Sequence, residues 1–252
     1  MSALVETTVH EGGIHELRLS RPPVNALDLE LCLALRDAVM HAPAEGAQGI
    51  VLSGGPKAFT AGLDVPRLLS LDGDGVRATW EAFADAARAL AASPVPVAAA
   101  INGHSPAGGC VLALCCDYRV MAAGPYRIGL NETQVGLVAP EGIQYLMRRA
   151  VGEHRAERLL VGGELVEAQR AYEIGLVDEL AEIDDVPARA RAWLRNLLSL
   201  PRQPVLQTRA IARAELVAAL QPERLRLDRF IASWNDPDTQ AGLRALVAKL
   251  GK

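Results

Sequence analysis

The stretch that decides the fold reads Val-Pro-Val-Ala-Ala-Ala-Ile-Asn-Gly-His-Ser-Pro-Ala-Gly-Gly-Cys-Val-Leu-Ala-Leu-Cys-Cys-Asp, from Val95 to Asp117. Its opening run to Ile101 is short, apolar and partly β-branched, which predicts a strand buried on both faces. A turn-rich segment from Asn102 to Gly109 follows, and from Cys110 to Cys116 every residue is apolar or carries sulfur. Because a helix that is apolar on all sides is a buried helix, the stretch predicts a strand, a turn and a buried helix at the centre of the molecule.

Two glycines, Gly108 and Gly109, stand in the first turn of this predicted helix. A residue without a Cβ lets another molecule approach the backbone closely. The free N–H groups of a helix N-terminus, together with the positive end of its dipole, stabilise an anion or a polarised carbonyl oxygen. The same residues also fit a tight strand-to-helix turn that needs glycine only for packing. The pattern alone leaves both interpretations open.

Length, composition and net charge limit the classes of protein to which this chain can belong. The chain has 252 residues, half of them apolar and 4% aromatic, with a formal net charge of −4. This length suffices for one large domain or a domain with an appended helical region. A slightly acidic chain with no basic tract is unsuited to nucleic acid, so we expect no nucleic-acid partner. No apolar run reaches the length of a membrane span, so we expect no membrane partner either.

The four cysteines are Cys32, Cys110, Cys115 and Cys116. Three of them fall in the predicted buried helix, where cysteine serves as a small apolar residue. They form no Cys-x-x-Cys pair and have no histidine at ligand spacing, so no metal site is predicted. This use of cysteine indicates a reducing compartment, and we predict a cytoplasmic location.

Upstream of the central stretch, alternation and capping residues predict several elements. Asp28 is suited to be the N-cap of the first helix. A Gly12-Gly13 turn precedes the first predicted strand. In chain order the elements are a strand over His15–Ser20, a proline-stiffened loop over Arg21–Asp28, a helix over Leu29–His41, a strand over Gly49–Ser53, a mobile polar loop over Leu71–Val76 and a helix over Trp80–Ala92.

Downstream, short strands alternate with helices as far as residue 185. The predicted elements are strands over Tyr118–Ala122 and Tyr126–Gly129, helices over Gly142–Val151, Glu153–Val161 and Glu167–Ile174, and a strand over Leu176–Ala181. From Val186 the sequence changes to arginine-rich amphipathic helices separated by prolines. We therefore predict an α/β core over residues 1–185 and a helical region over 186–252. Strands followed by helices favour parallel pairing. A dinucleotide fold is disfavoured because neither early turn carries Gly-x-Gly-x-x-Gly.

Three segments together resemble the crotonase (enoyl-CoA hydratase/isomerase) superfamily. They are Ala-Phe-Thr-Ala-Gly-Leu-Asp (Ala58–Asp64), Asn-Gly-His-Ser-Pro-Ala-Gly-Gly-Cys (Asn102–Cys110) and Cys116-Asp117. The later segment Ile-Gly-Leu-Asn-Glu-Thr-Gln-Val-Gly-Leu-Val-Ala-Pro (Ile128–Pro140) is most similar to Δ3,Δ2-enoyl-CoA isomerases of the mitochondrial type. The resemblance extends over nearly the whole chain.

This resemblance implies a crotonase-like spiral of strand–strand–helix units followed by a helical trimerisation region, and hence a homotrimer or a dimer of trimers. It implies an acyl-CoA substrate, with coenzyme A as part of that substrate and no separate cofactor. The backbone N–H groups of Leu63 and Gly108 would form the oxyanion hole that holds the thioester oxygen. The residues that would line the coenzyme A end are Asn25, Ala26, Leu27, Ala61, Gly62 and Asp64.

The number of catalytic carboxylates distinguishes the possible reactions of the superfamily. Hydratases of the superfamily use two glutamates, and the resemblance places the first at Val111 and the second at Glu132. One carboxylate suffices to shuttle a proton from C2 to C4 of a 3-enoyl-CoA, so the resemblance implies an isomerase of fatty-acid β-oxidation with Glu132 as its acid and base. Apolar neighbours of Glu132, such as Ile128 and Leu130, predict a dry pocket that raises its pKa.

One departure from the isomerase pattern concerns Glu141-Gly142, where the mitochondrial isomerases carry bulky apolar residues. Glu141 fits a favourable charge at a helix N-terminus. It also fits a second acid that faces the acyl chain, which would leave room for hydration or another crotonase-type reaction. Both interpretations stay open from the sequence.

Two other classes of function remain as alternatives. A serine hydrolase would use Ser105 with His104 or His154 and Asp117, but no Gly-x-Ser-x-Gly elbow is present and adjacent Ser and His side chains point apart. A non-catalytic acyl-CoA-binding protein would keep the binding segments without turnover. The presence of Glu132 beside both oxyanion segments argues against this second alternative.

Overall fold

A six-stranded sheet lies at the centre of the computed structural model, which describes residues 3–55 and 57–249. Its strand order is β1-β2-β3-β4-β6-β9, and only β1 runs antiparallel to its neighbour. A second sheet has the order β5-β7-β8. The strands are β1 (Val5–His10), β2 (Ile14–Leu19), β3 (Gly49–Ser53), β4 (Val97–Ile101), β5 (Ser105–Pro106), β6 (Tyr118–Ala122), β7 (Arg127–Gly129), β8 (Val166–Glu167) and β9 (Glu179–Ala181).

Helices connect these strands and then make up the C-terminal region. They are α1 (Leu29–His41), α2 (Val65–Leu68), α3 (Gly73–Ala92), α4 (Gly108–Leu114), α5 (Glu141–Val151), α6 (Glu153–Gly162), α7 (Ala168–Glu173), α8 (Val186–Leu198), α9 (Arg202–Ala212), α10 (Ala214–Ala219), α11 (Pro222–Leu225), α12 (Leu227–Trp234) and α13 (Pro237–Lys249). Short 3-10 turns lie at Glu132–Val135 and Ile183–Asp185.

The central stretch folds as its composition predicts. The strand β4 is buried along its whole length between β3 and β6, and every residue of α4 is buried. The four cysteines are free and buried, and burial raises the pKa of each thiol. They are therefore part of the apolar core. The predicted helix over Leu29–His41 is also confirmed, with the Leu31 N–H donating to the Asp28 carboxylate over 2.9 Å.

The prediction of a mobile polar loop over Leu71–Val76 is wrong. The helix α3 begins at Gly73 instead of Trp80, because the Asp72 carboxylate accepts a hydrogen bond from the Gly75 N–H over 2.8 Å and caps the first turn. The edge strand β1 was not predicted, since most of its residues are exposed. The last strand begins at Glu179 instead of Leu176.

Both faces of the large sheet are covered. The helix α8 packs on one face, with Val186, Ala190 and Leu194 against apolar side chains of β3, β4 and β6. The other face meets the larger core around α1, α3 and α4. The first helix of the predicted C-terminal region is thus part of the layer that supports the sheet. The division at residue 185 itself stays a prediction.

Candidate active site

Two backbone turns meet at Gly62 and Gly108. A Cβ added at Gly62 would lie 3.2 Å from the carbonyl oxygen of Pro106 and 3.3 Å from the nitrogen of Gly108. Gly62 has φ of 80°, which favours glycine for a second reason. The turn over 58–64 and the start of α4 are therefore packed directly against each other.

The N–H groups of Leu63 and Gly108 are free at this contact. Leu27 donates its N–H to the Gly62 carbonyl oxygen over 2.8 Å, and Asp64 donates to the Leu27 carbonyl oxygen over 2.9 Å. In this parallel bridge the intervening Leu63 N–H points away from Leu27. Within residues 3–55 and 57–249, neither the Leu63 nor the Gly108 N–H has a hydrogen-bond acceptor. Two unpaired donors on adjoining segments are suited to one anionic oxygen.

The start of α4 is fixed by β7. Ala107 donates its N–H to the Gly129 carbonyl oxygen over 2.8 Å and adopts φ of 46°. A non-glycine residue in this region carries strain that its surroundings must support. The next segment after β7 is the 3-10 turn that begins at Glu132. The same strand thus supports both the Gly108 N–H and the candidate acid.

Glu132 is a buried carboxylic acid. Its residue is 7% exposed, and among the described residues its Oε2 has no hydrogen-bond partner. Burial raises its pKa from the ordinary 4.5 to about 7. Its charge contributes to the raised pKa of Cys110, which indicates that the carboxylate lies beside α4. A group with this pKa can both take up and release a proton near neutral pH.

Val111 is buried one turn into α4. It lines a small apolar cavity together with Phe83 and Ile143. In the described part of the chain, no second carboxylate contributes to the pKa shift of Glu132. The burial of Glu132 agrees with the pocket that its apolar sequence neighbours predict.

Arg21 is a supporting residue that the sequence analysis did not single out. Its guanidinium contacts the carboxylates of Asp28 and Asp64 at 2.9 and 2.8 Å and donates to the Ala26 carbonyl oxygen over 2.8 Å. One side chain therefore ties the loop before α1 to the turn that carries Leu63. The Arg21-Pro22 pair was visible in the sequence, but its three partners become neighbours only in the fold.

The six residues predicted at the coenzyme A end are brought together by these bonds. Asn25 is buried and makes structural contacts, since its amide donates to the Phe59 carbonyl oxygen and accepts from the Arg21 N–H. Leu27 and Gly62 are buried as well, so they shape this region through the backbone. The residues of this group with exposed or partly exposed surface are Ala26, Ala61 and Asp64.

Glu141 lies in the first turn of α5 and forms ion pairs at the surface. Its carboxylate accepts a hydrogen bond from Arg229 and lies 3.9 Å from Arg226. It does not contribute to the pKa shift of Glu132. This placement matches the helix N-terminal charge that the sequence permitted, and it gives the carboxylate a cationic partner on α12.

The residues of a serine hydrolase are not assembled. The Ser105 hydroxyl is buried without a hydrogen-bond partner among the described residues. His104 accepts through Nδ1 from the Arg127 N–H over 3.1 Å. Asp117 is held by Arg209 and Arg213. The structure thus pairs both His104 and Asp117 with groups other than Ser105.

Among the described helices, none combines the length and the apolar character needed to cross a membrane. The part of the chain that the structure describes holds no group of three or more His, Cys, Asp or Glu side chains positioned for a metal ion.

Comparison with known proteins identifies relatives over nearly the full length. The sequence profile of the enoyl-CoA hydratase/isomerase family matches residues 9–250. The mitochondrial enoyl-CoA delta isomerase 1 of Mus musculus is 37% identical over 203 residues, which cover 79% of this chain and 69% of the mouse protein. A probable enoyl-CoA hydratase of Mycolicibacterium paratuberculosis is 32% identical over 232 residues, covering 88% of this chain and 89% of that protein.

Among solved structures, the human mitochondrial Δ3,Δ2-enoyl-CoA isomerase superposes with a TM-score of 0.93 at 28% identity. The match covers 98% of each chain. These similarities confirm the crotonase-like fold with its helical C-terminal region and the resemblance to mitochondrial-type isomerases. Hydratases are present among the relatives as well. Similarity therefore identifies the family but does not distinguish isomerisation from hydration.

Proposed function

The chain belongs to the enoyl-CoA hydratase/isomerase family, and we propose that it is an isomerase that converts 3-enoyl-CoA esters to 2-trans-enoyl-CoA esters. The observation that carries this proposal is the buried carboxylate of Glu132, to whose raised pKa no second carboxylate of the described residues contributes. Where the resemblance expects the first glutamate of a hydratase, this chain has the buried and apolar Val111. Activating a water between two acids needs a second carboxylate. Moving one proton from C2 to C4 needs only one.

The proposed mechanism has two proton transfers. Ionised Glu132 removes a proton from C2, and the electrons spread into a dienolate whose negative charge falls on the thioester oxygen. The N–H groups of Leu63 and Gly108 stabilise that oxygen, each by about 3 kcal/mol by analogy with other oxyanion sites. The acid form of Glu132 then returns the proton at C4. A positioned acid and base of this kind contributes roughly 100- to 10,000-fold in rate.

Burial of Glu132 favours this shuttle over hydration. A pKa of about 7 matches a group that must be a base in one step and an acid in the next. The apolar lining of the cavity beside Val111 disfavours a bound water. Hydration, or another crotonase-type reaction, is the alternative within the family, and non-catalytic acyl-CoA binding is the alternative outside it.

The test is a direct comparison of two reactions on purified protein. We expect 3-enoyl-CoA esters to be converted to the conjugated 2-enoyl esters, with little addition of water to crotonyl-CoA. Glu132→Gln should abolish isomerisation and keep acyl-CoA binding, because it removes the titrating group at nearly constant volume. Hydration as the faster reaction would favour the alternative, and full isomerase activity in Glu132→Gln would remove this residue from the mechanism.

The pH dependence provides a second measurement. Because free enzyme must carry Glu132 in the ionised form, kcat/KM should rise with pH below about 7 and level off above it. A profile that is flat between pH 5 and pH 8, a range of about three decades of proton concentration, would contradict the assignment.

The remaining parts of the proposal concern context. We propose an acyl-CoA substrate from fatty-acid β-oxidation, a homotrimer or dimer of trimers, a cytoplasmic location and no cofactor beyond the coenzyme A of the substrate. The family membership supports the acyl-CoA substrate. The arginine-rich amphipathic helices after residue 186 support a role in subunit contacts.

A further inference from the structure

Large aromatic rings are concentrated in one place in this alanine- and leucine-rich chain. Of the three phenylalanines and three tryptophans, four are joined in one buried cluster: Trp80, Phe83, Phe230 and Trp234. The ring of Trp80 lies 5.7 Å from Phe83 and 3.8 Å from Phe230, and Phe230 lies 6.4 Å from Trp234. We refer to these four residues as the aromatic cluster.

The aromatic cluster begins at the candidate oxyanion site. A Cβ added at Gly108 would lie 3.3 Å from the ring edge of Phe83. Phe83 and Trp80 line the same cavity as Val111 and Ile143. That cavity is about 10 Å³, which is about the space of one water molecule. The apolar space next to Gly108 is therefore almost filled by side chains, and its two aromatic lining residues are Trp80 and Phe83.

The far wall of this space is fixed by contacts of α12. Phe230 belongs to α12, and Asp228 on the same helix forms an ion pair with Arg77 of α3 at 2.9 Å. Arg229 binds Glu141 at the start of α5. The adjacent Gly142 permits close packing of α10, since an added Cβ would lie 2.1 Å from the Ala219 carbonyl oxygen. The two ion pairs join α12 to α3 and to α5, and the Gly142 contact packs α10 on α5.

We propose that the aromatic cluster ends the acyl subsite, so that the preferred substrates are short-chain 3-enoyl-CoA esters. This inference rests on the proposed function, because it places the thioester oxygen at Leu63 and Gly108. The carbons beyond the double bond must then enter the space that Phe83 and Trp80 line, where Phe230 packs on the Trp80 ring. In this assignment Trp80 and Phe230 are specificity-determining residues.

The first experiment measures chain-length dependence. Steady-state kinetics on 3-hexenoyl-, 3-octenoyl- and 3-dodecenoyl-CoA should give the highest kcat/KM for the hexenoyl ester. Each added methylene that meets a filled apolar site costs about tenfold or more, so we expect the dodecenoyl ester to be the poorest of the three. Equal kcat/KM on hexenoyl- and dodecenoyl-CoA would overturn the inference while leaving the isomerase proposal intact.

The second experiment enlarges the acyl subsite by truncating side chains of the aromatic cluster. Trp80→Ala and Phe230→Ala should raise the ratio of kcat/KM for the dodecenoyl over the hexenoyl ester by about tenfold or more. The matched control is Trp193→Ala, because Trp193 stacks on Tyr118 at 4.7 Å on the opposite face of the sheet. The same change of ratio in Trp193→Ala, or no change in the pocket variants, would contradict the assignment. Phe230→Leu serves if the alanine variants do not fold.

A binding measurement separates this inference from the reaction itself. Calorimetric titration of Glu132→Gln with saturated butyryl-CoA and dodecanoyl-CoA reports the size of the acyl subsite without any turnover. Tighter binding of the short ester supports the inference even if no isomerisation occurs in the unmodified protein. Tighter binding of the long ester contradicts it, whatever the reaction is.

Discussion

The proposed reaction needs Glu132 in its ionised form, but ionisation of this buried carboxylate lowers the stability of the folded protein. Its raised pKa means that the folded protein binds a proton at this site that the unfolded chain releases, since burial penalises the charged form. Between pH 4.5 and about 7 the native state therefore holds more protons here than the unfolded state. The contribution of this residue to stability falls as pH rises through that range.

Glu132→Gln should consequently stabilise the protein at alkaline pH. A glutamine stays neutral, so the gain is absent below pH 4.5 and grows to about 3 kcal/mol above pH 7. Urea denaturation of both proteins at pH 4 and at pH 8, flanking those two values, measures the difference. A gain of the same size at both pH values would show that the effect is unrelated to ionisation of the carboxylate.

At the scale of single residues, the sequence predicted the buried acid but not the ion pairs that hold the site together. The motif around Glu132 and its apolar neighbours predicted a buried acid with a raised pKa, and the structure agrees. Arg21 could not be assigned, because its partners Asp28 and Asp64 are distant in sequence and are brought together by folding. The exposure of Glu141 was likewise undecided until α12 was placed beside it.

At the scale of elements, the turn that carries Leu63 depends on the loop before α1. Arg21→Ala would leave Asp28 and Asp64 without their cation and loosen the bridge that directs the Leu63 N–H. We expect kcat to fall by about tenfold to a hundredfold, which is less than the 100- to 1,000-fold typical of losing an entire oxyanion donor. Steady-state kinetics on a 3-enoyl-CoA ester measures the loss.

Two variants control this prediction. Arg21→Lys should restore little activity, because a single ammonium cannot reproduce the guanidinium contacts to three groups. Arg67→Ala removes a neighbouring arginine whose side chain pairs with Glu30 at the surface, and it should leave kcat nearly unchanged. An unchanged kcat in Arg21→Ala would show that the loop keeps its position without this side chain.

The bounds of a helix were predicted correctly where a capping residue and the apolar pattern of the sequence indicated the same start. The helix α1 has both an Asp28 cap and an apolar face, and its bounds were predicted correctly. The start of α3 was missed because the glycines and aspartates at 72–75 are typical of a loop. In the structure Asp72 is instead the N-cap of the helix, and the residues after it form its first turn. The helix is then extended by burial of Val76 and Thr79, which propensity alone does not reveal.

At the scale of the whole molecule, the C-terminal helices are anchored to the core through Asp117. This carboxylate binds Arg209 and Arg213 at 2.8 and 2.9 Å and accepts from the Val97 N–H. Arg213 is 5% exposed and also donates to the Ala91 and Cys115 carbonyl oxygens. The sequence showed the change of composition near residue 186 but not this attachment, because no local pattern marks a buried arginine.

Asp117→Ala should therefore destabilise the protein strongly. Removing one partner of a buried ionic group leaves uncompensated charge and costs about 3–5 kcal/mol. The matched control is Glu215→Ala, which breaks an exposed pair with Arg224 and should cost less than about 1 kcal/mol. Denaturant unfolding at constant protein concentration compares the two, and similar losses would mean that the Asp117 site is effectively solvated.

The same attachment has a consequence for biosynthesis. The Cys115 carbonyl oxygen, just past the end of α4, receives its hydrogen bond from a residue translated 98 positions later. A nascent chain that has released residues 1–185 from the ribosome still presents Asp117 and that carbonyl without their guanidinium partners. The contacts of Asp117 and of the end of α4 thus await translation of Arg213, so the emerging polypeptide stays unfinished at its own centre until then.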